Sequence, residues 1–356
     1  MGTEFIVPTG DIIKEYLTEY GISQKDLSAH VGMSEKHISN VLSGKARLME
    51  DFALRLEYVF KEIPASYWLN YESRYREYIA REKTYRELAN NNDLSEIGRR
   101  FSFDEVFGGL GWDLPKQAHE MLKLLNISSF DNFNKVYGKL NTSFMEDGGA
   151  IEPIAVWLKL CEEQIELQND KIDIEYDPKI IESYLGQFKA LALSKSIESI
   201  TVNCRKLCNR LGIYLVVYPT ITNSKVRGAI ETFNGHPAIF LSGRFKTHDN
   251  IWFAFFHELG HLIYHYDKHY ESVSMEADFD DIEEVANHFA RDVLISHDDY
   301  SGFIARVDGR VPSKKEIEEF ALLEGVLPGI VVARLQHDGY LPYSRSYGLK
   351  NKINIK

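Results

Sequence analysis

Residues 251–265 read IWFAFFHELGHLIYH, an apolar stretch of helical length that holds the pattern His-Glu-x-x-His at His257, Glu258 and His261. On a helix, residues four apart project from one face, so the two imidazoles are placed to meet one metal ion while Glu258 lies one step round. These residue types suit hydrolysis with zinc (Zn2+). Neutral imidazole is a good zinc ligand, a catalytic site takes three protein ligands and keeps one position open, and a carboxylate must take a proton from the attacking water. The bland alternative, two core histidines beside a buried Glu, would bury a charge with no evident partner, which is costly.

A third ligand has to come from elsewhere. A metzincin would carry Gly three residues and His six residues after the second ligand, where this chain has Tyr264 and Asp267. Glu283, 22 residues after His261, opens a second helical pattern, EEVANHFARDVLI, in which Glu283, Ala286, Asn287 and Ala290 share a face. The small residues on that face let two helices approach closely. Asn287, one turn beyond Glu283, is placed to hydrogen-bond the outer nitrogen of a ligating His. Glu284 and His265 are the rival ligands. Tyr264, His265 and His297 are the candidates for stabilising a tetrahedral oxyanion.

The elements that must position this site are legible in outline. A helix is expected over about 196–210, then strands at Ile213–Tyr218, Gly228–Phe233 and Ala238–Leu241, then the His-bearing helix with Asp249 or Asn250 as its cap. Cys204 and Cys208 sit four apart in the first of these helices and read as small core residues, since no second pair at structural-zinc spacing lies nearby. From 101 to 195 helical patterns alternate with breaks at the Gly-Gly pairs 108 and 148 and at Pro115, Pro153 and Pro178, with no catalytic constellation.

The N-terminal segment reads as short helices. Gly21 and Gly32 can end a helix in the left-handed conformation, and Ser23 and Ser34 can cap the next. Leu27, Val31, Ile38 and Val41 fall where two helices bury their mutual contact, the unit of helix-turn-helix DNA binders. In such a docking mode the second helix meets base edges, which nominates Ser34, Glu35, Lys36, His37, Ser39 and Asn40, with Lys45 and Arg47 near phosphates. Residues 11–62 hold seven basic and nine acidic residues, so the domain is not globally basic. A polar helical run then continues from 66 to an Asn-Asn-Asn-Asp linker at 90–93.

Composition bounds these readings. The 356 residues are 44% hydrophobic and 26% charged, ordinary for globular protein and long enough for two or three domains. The net charge of −12 argues against non-specific binding of nucleic acid by the whole surface. No apolar run is long enough to cross a bilayer, and no signal-peptide pattern opens the chain; with three cysteines, a cytoplasmic setting is expected, with no membrane partner.

Two stretches carry a resemblance. HELGHLIYH followed by EEVANHFARDVLI resembles the ImmA/IrrE family of zinc metallopeptidases, and VLPGIVVARLQHDGYLPY is similar to the segment after the peptidase core in members fused to a helix-turn-helix. GISQKDLSAHVGMSEKHISNVLSGKARL resembles the Xre/Cro-type helix-turn-helix, and PASYWLNYESRYREY resembles the tail of HigA-type antitoxins. The first resemblance implies zinc on His257, His261 and Glu283, with Glu258 as the catalytic carboxylate. The chain departs from the family at Val285, where members often carry an acidic or amide residue.

The fold implied is multidomain and mainly α, with an α+β zincin-like metallopeptidase core and an N-terminal all-α helix-turn-helix domain. Its expected parts are the helix-turn-helix domain at 1–65, a helical extension and linker at 66–100, a helical middle at 101–195, the peptidase core at 196–300 and a C-terminal helical segment at 301–356. The function implied is a transcriptional regulator, bound to a DNA operator and homodimeric, whose endopeptidase cleaves an Xre-type repressor, an antitoxin or itself. The other reading is a HigA-like antitoxin or repressor in which the zinc site is structural or senses a ligand.

Overall fold

The computed structural model describes residues 6–138, 150–244, 246–266 and 279–355. The Gly-Gly pair at 148 and Asp267 lie outside the described residues. The chain forms two compact units. One contains residues 1–94 with 113–119, the other 95–112 with 120–356.

The first unit is helical. It contains α1 (Thr9–Glu19), α2 (Gln24–Val31), α3 (Glu35–Leu42), α4 (Glu50–Val59) and the 25-residue α5 (Ala65–Ala89). The turn between α2 and α3 follows from its sequence. Gly32 ends α2 at φ 64°, and the Ser34 hydroxyl accepts a hydrogen bond from the His37 amide at 3.2 Å to open α3. Ser23 and Asp26 form a reciprocal capping box at the start of α2. Leu27, Val31, Ile38 and Val41 are all buried, in one core with Phe52, Phe60 and Trp68. This burial, and not a continuous basic surface, fixes the angle between α2 and α3.

The second unit is α+β. Its sheet has three strands, β1 (Tyr214–Tyr218), β2 (Gly228–Phe233) and β3 (His236–Ser242), in the order β1-β3-β2. β1 runs parallel to the central β3, from Tyr214 opposite Ala238 to Tyr218 opposite Ser242. β2 and β3 form an antiparallel hairpin whose turn residues, Asn234 and Gly235, have φ of 49° and 80°. Asn-Gly is the pair such a two-residue turn favours, because both positions need positive φ. β3 extends beyond the expected 238–241 at both ends, since His236 and Pro237 complete the hairpin and Ser242 still pairs with β1.

Period-2 alternation splits the strand side chains between two layers. Leu215, Ile230, Ile239 and Leu241 join the core built around α7 (His248–Tyr264), with Trp252, Phe255 and Phe256. Phe240, in the other phase, meets Trp157 of α6 (Ile151–Gln168) edge-on at 6.3 Å. Cys204 and Cys208 are fully buried in the α7 core and Cys161 lies buried on α6. The remaining long helices are α8 (Phe279–Leu294), α9 (His297–Val307), α10 (Lys314–Glu324) and α11 (Pro328–His337). No helix among the described residues is long and apolar enough to cross a membrane.

The start of α7 differs from the sequence expectation. Asp249 and Asn250 lie inside the helix and Thr247 is its cap residue. The side chain of Asn250 turns back to donate to the Thr247 hydroxyl at 2.5 Å. Asp249 is instead committed to the C-terminal tail, pairing with Lys350 at 3.0 Å with its own side chain 1% exposed. Backbone bonds complete this clamp, from the His248 amide to the Asn351 carbonyl and from the Ile353 amide to the Lys246 carbonyl, both at 2.9 Å. A competing tertiary partner has therefore taken over a residue with good capping chemistry.

Glu231 is half-buried on the α6 side of the sheet, beside Glu162 and Lys159. Burial, then the neighbouring Glu162 carboxylate, pushes its carboxyl up to about 8 from an ordinary 4.5. The folded chain thus keeps a proton that the unfolded chain releases near pH 4.5. The stability this brings is full below about pH 4.5 and is lost as pH rises toward 8. Glu231→Gln, neutral throughout, is expected to flatten that decline and raise Tm by several degrees at about pH 8, with little change at about pH 5, in thermal unfolding followed by circular dichroism.

Candidate metal centre and DNA-reading face

α7 and α8 pack directly on one another, and their closest approach is set by missing side-chain bulk. A Cβ placed on Gly260 would lie 3.0 Å from the Phe289 ring and 3.2 Å from the Cα of Ala286. Ala286 and Ala290 are fully buried at this seam. Gly260, the third residue of the HELGH run after His257, was not singled out from sequence. Its signal is a glycine inside an otherwise strong helix, a position that costs stability unless a neighbour needs the space.

The seam brings His257, His261 and Glu283 together. Glu283 Oε2 lies 3.2 Å from His257 Nε2 and Oε1 lies 3.2 Å from His261 Nε2. The two Nε2 atoms are 3.1 Å apart, and one ligand atom from each residue falls within 4.8 Å of the others. On its far side His257 Nδ1 is 3.1 Å from Asn287 Oδ1, an acceptor, which places the ring proton on Nδ1 and leaves the Nε2 lone pair facing the cluster. His261 Nδ1 lies 3.4 Å from His265 Nδ1.

This donor set fits a divalent cation. Two imidazole lone pairs and a carboxylate converging at about 3 Å repel unless a proton or a cation lies among them. A tetrahedron with ligands about 2.0–2.1 Å from its centre has edges of about 3.3 Å, close to the observed separations. Two rivals are placed otherwise. Glu284 is exposed, paired with His288 at 3.3 Å, and His265 stands behind His261.

Electrostatics follow the packing. Burial pulls the His257 imidazole toward the neutral form, but the Glu283 and Glu258 carboxylates outweigh it and the net shift is upward. Burial raises Glu283, but the two imidazoles, which donate to it from Nε2 when protonated, overcome this and hold the carboxyl far below its usual range. Glu258 is 7% exposed, and burial raises its carboxyl above the ordinary value against the pull of His257 and His261. Its carboxylate lies directly under β2. A Cβ on Gly228 would come 2.3 Å from Glu258 Oε1, so any other residue there would displace that carboxylate. Sequence reasoning missed this glycine too; its place at the start of an apolar strand was the available sign.

Of the oxyanion candidates, Tyr264 is 53% exposed with its ring edge-on to Phe289, and His297 is exposed at the start of α9. His265 is the one beside the cluster. In the other unit, Ser34, Glu35, Lys36, Ser39, Lys45 and Arg47 are exposed, while His37 and Asn40 are half-buried. The Ser34 hydroxyl is engaged as the cap of α3, and the His37 ring leans on Phe52 at 6.1 Å.

The geometry defines a chain that pairs a helix-turn-helix with an α+β domain of metallopeptidase type. Comparison with protein families agrees: residues 13–68 match the helix-turn-helix family model and residues 208–310 match the IrrE N-terminal-like domain. The chain thus joins a segment similar to Xre-type helix-turn-helix domains to one similar to the IrrE N-terminal-like domain. No curated protein matches it.

Removing the Asn287 amide frees the His257 ring to rotate. Asn287→Ala is expected to weaken zinc binding by about 10- to 100-fold in chelator competition, whereas Glu284→Ala should leave it within about twofold. Equal losses would mean the wrong Glu has been chosen.

Proposed function

We propose that this protein is a DNA-binding regulator whose second unit is a zinc-dependent endopeptidase, acting on an Xre-type repressor, an antitoxin or its own chain. The observation that carries the reading is the convergence of His257 Nε2, His261 Nε2 and a Glu283 carboxylate, with the Glu258 carboxylate beside them. His257, His261 and Glu283 are the residues to hold the ion, and zinc bound there supplies Lewis acidity toward a peptide carbonyl and its attacking water. Glu258 takes a proton from that water on a carboxylate oxygen and returns it to the leaving amine nitrogen. Burial favours this exchange by raising the proton affinity of Glu258. Asn287 keeps His257 in the tautomer that offers Nε2.

On the DNA side, α3 enters the major groove. Lys36, Ser39 and Asn40, with Ser34, Glu35 and His37 at its start, are the base-facing set, and Lys45 and Arg47 approach phosphates. A homodimer would present two such helices to a two-fold operator. Cutting a repressor or antitoxin of the same helix-turn-helix type would couple operator occupancy to proteolysis.

A second reading has its own observation. Glu258 is covered by the β2 backbone at Gly228, as a structural or ligand-sensing zinc site in a repressor or antitoxin would allow. Intact-mass analysis separates the two. The zinc-loaded wild type, alone and with the products of neighbouring genes, is expected to yield fragments, and Glu258→Gln to lose at least 1,000-fold in rate with its zinc retained. Identical behaviour of the two proteins selects the regulator without proteolysis. Lys36→Ala with Asn40→Ala is expected to weaken operator binding by at least tenfold in a mobility-shift assay; unchanged binding rejects α3 as the reading helix.

A further inference from the structure

The metal cluster sits at one end of a longer groove. Along α8, Glu283, Asn287 and Arg291 recur every four residues, and along α7, Phe253 and Asp249 recede from His257 at the same spacing, so both stripes stay on facing surfaces. They bound a cavity of about 820 Å³, which α11 and Lys350 complete. That volume is in the range of small-molecule and side-chain pockets.

The cavity is basic in a chain of net charge −12. Arg227, Arg291, Arg334 and Lys350 line it, and its acids are already committed. Glu283 belongs to the His cluster, Glu284 pairs with His288, and Asp249 pairs with Lys350. Arg334 is fixed in place, its Nε donating to Asp338 at 2.8 Å and its guanidinium lying 4.6 Å over the Tyr300 ring. Among the described residues its Nη1 is buried with no acceptor, and so is Nε of Arg291. Buried guanidinium donors without acceptors are costly, and a planar fork of this kind matches a carboxylate best. Asp249 Oδ1, in the same cavity, is a buried acceptor with no donor among the described residues, where an amide N–H can be received.

We propose that the cavity between α7, α8 and α11 is a subsite for a carboxylate, received by Arg291 and Arg334 and carried either by the bound polypeptide or by a free small molecule. Arg291 stands two helical turns from Glu283, about 12 Å along α8 at about 1.5 Å per residue. An extended chain rising about 3.3 Å per residue covers that distance in three to four residues. A polypeptide source is therefore an Asp or Glu three or four positions from the cut bond. The unpartnered Asp249 oxygen favours this source, because a polypeptide brings backbone N–H groups with its side chain. The polypeptide arm rests on the endopeptidase reading; the binding of a carboxylate does not.

The test uses the full chain, zinc-loaded and carrying Glu258→Gln so that nothing is cut. One arm measures fluorescence anisotropy with labelled Gly-Ser decapeptides in which a single Glu is walked through the sequence. The other measures the thermal shift given by succinate. One or two adjacent Glu positions are expected to bind at least tenfold tighter than the rest, with the preference lost in Arg291→Gln, partly kept in Arg291→Lys, and zinc content unchanged in both. A succinate shift that depends on Arg291, with no preference for Glu position, also supports the subsite and assigns it to a free carboxylate. Binding of both probes unaltered by Arg291→Gln, or binding of neither to the parent, overturns it. Fragments from a partner together with that negative result leave the endopeptidase standing without the subsite; carboxylate binding with no cleavage by the wild type does the reverse.

Discussion

Two imidazoles and a carboxylate converge here because α7 and α8 come close enough for a side chain on one to reach across to the other. Gly260 and the buried Ala286 make that distance available, since even a methyl group at Gly260 would crowd the Phe289 ring and the Ala286 backbone on the helix that carries Glu283. The converging groups then repel one another unless a cation is shared. The site is thus built by an apolar seam that stabilises the helix pair on its own account, while the polar groups at its edge are held in an arrangement they would not choose alone.

The sheet supplies the second constraint. β2 is brought to the edge of the Glu258 carboxylate by the Asn234-Gly235 turn and its antiparallel register with β3. Where strand and carboxylate meet, the chain has glycine, so backbone can lie against the acid and exclude water from it. The same burial that covers Glu258 raises its affinity for a proton, so one contact sets both its access and its basicity.

How much could be read from the residues alone depends on the range of the forces involved. The i, i+4 spacing of His257 and His261, the shared face of Glu283 and Asn287, and the buried set Leu27, Val31, Ile38 and Val41 are local periodicities, and each pointed to the arrangement found. β2 was legible to the residue because Gly228 and the Asn-Gly turn punctuate it. The cap of α7 was misplaced because Asp249 answers to Lys350, about a hundred residues on, and no local rule carries that information. The close approaches made at Gly228 and Gly260 escaped notice for a related reason. A glycine's meaning lies in what occupies the space it leaves, which only the tertiary structure reveals. Arg291 carries no local signal either, because its place beside α11 is set by the tertiary fold.

The clamp on α7 by residues 350–353 also bears on the order in which a growing polypeptide matures. The helix-turn-helix and most of the core that holds it are complete within about the first ninety residues and can fold early, as N-terminal domains generally do during synthesis. The helix that bears His257 and His261 waits for the arrival of Lys350, Asn351 and Ile353 before its first turn is fastened. Translation therefore finishes the helix-turn-helix unit well ahead of the unit that gathers His257, His261 and Glu283, and an incompletely synthesised chain would carry the first without the second.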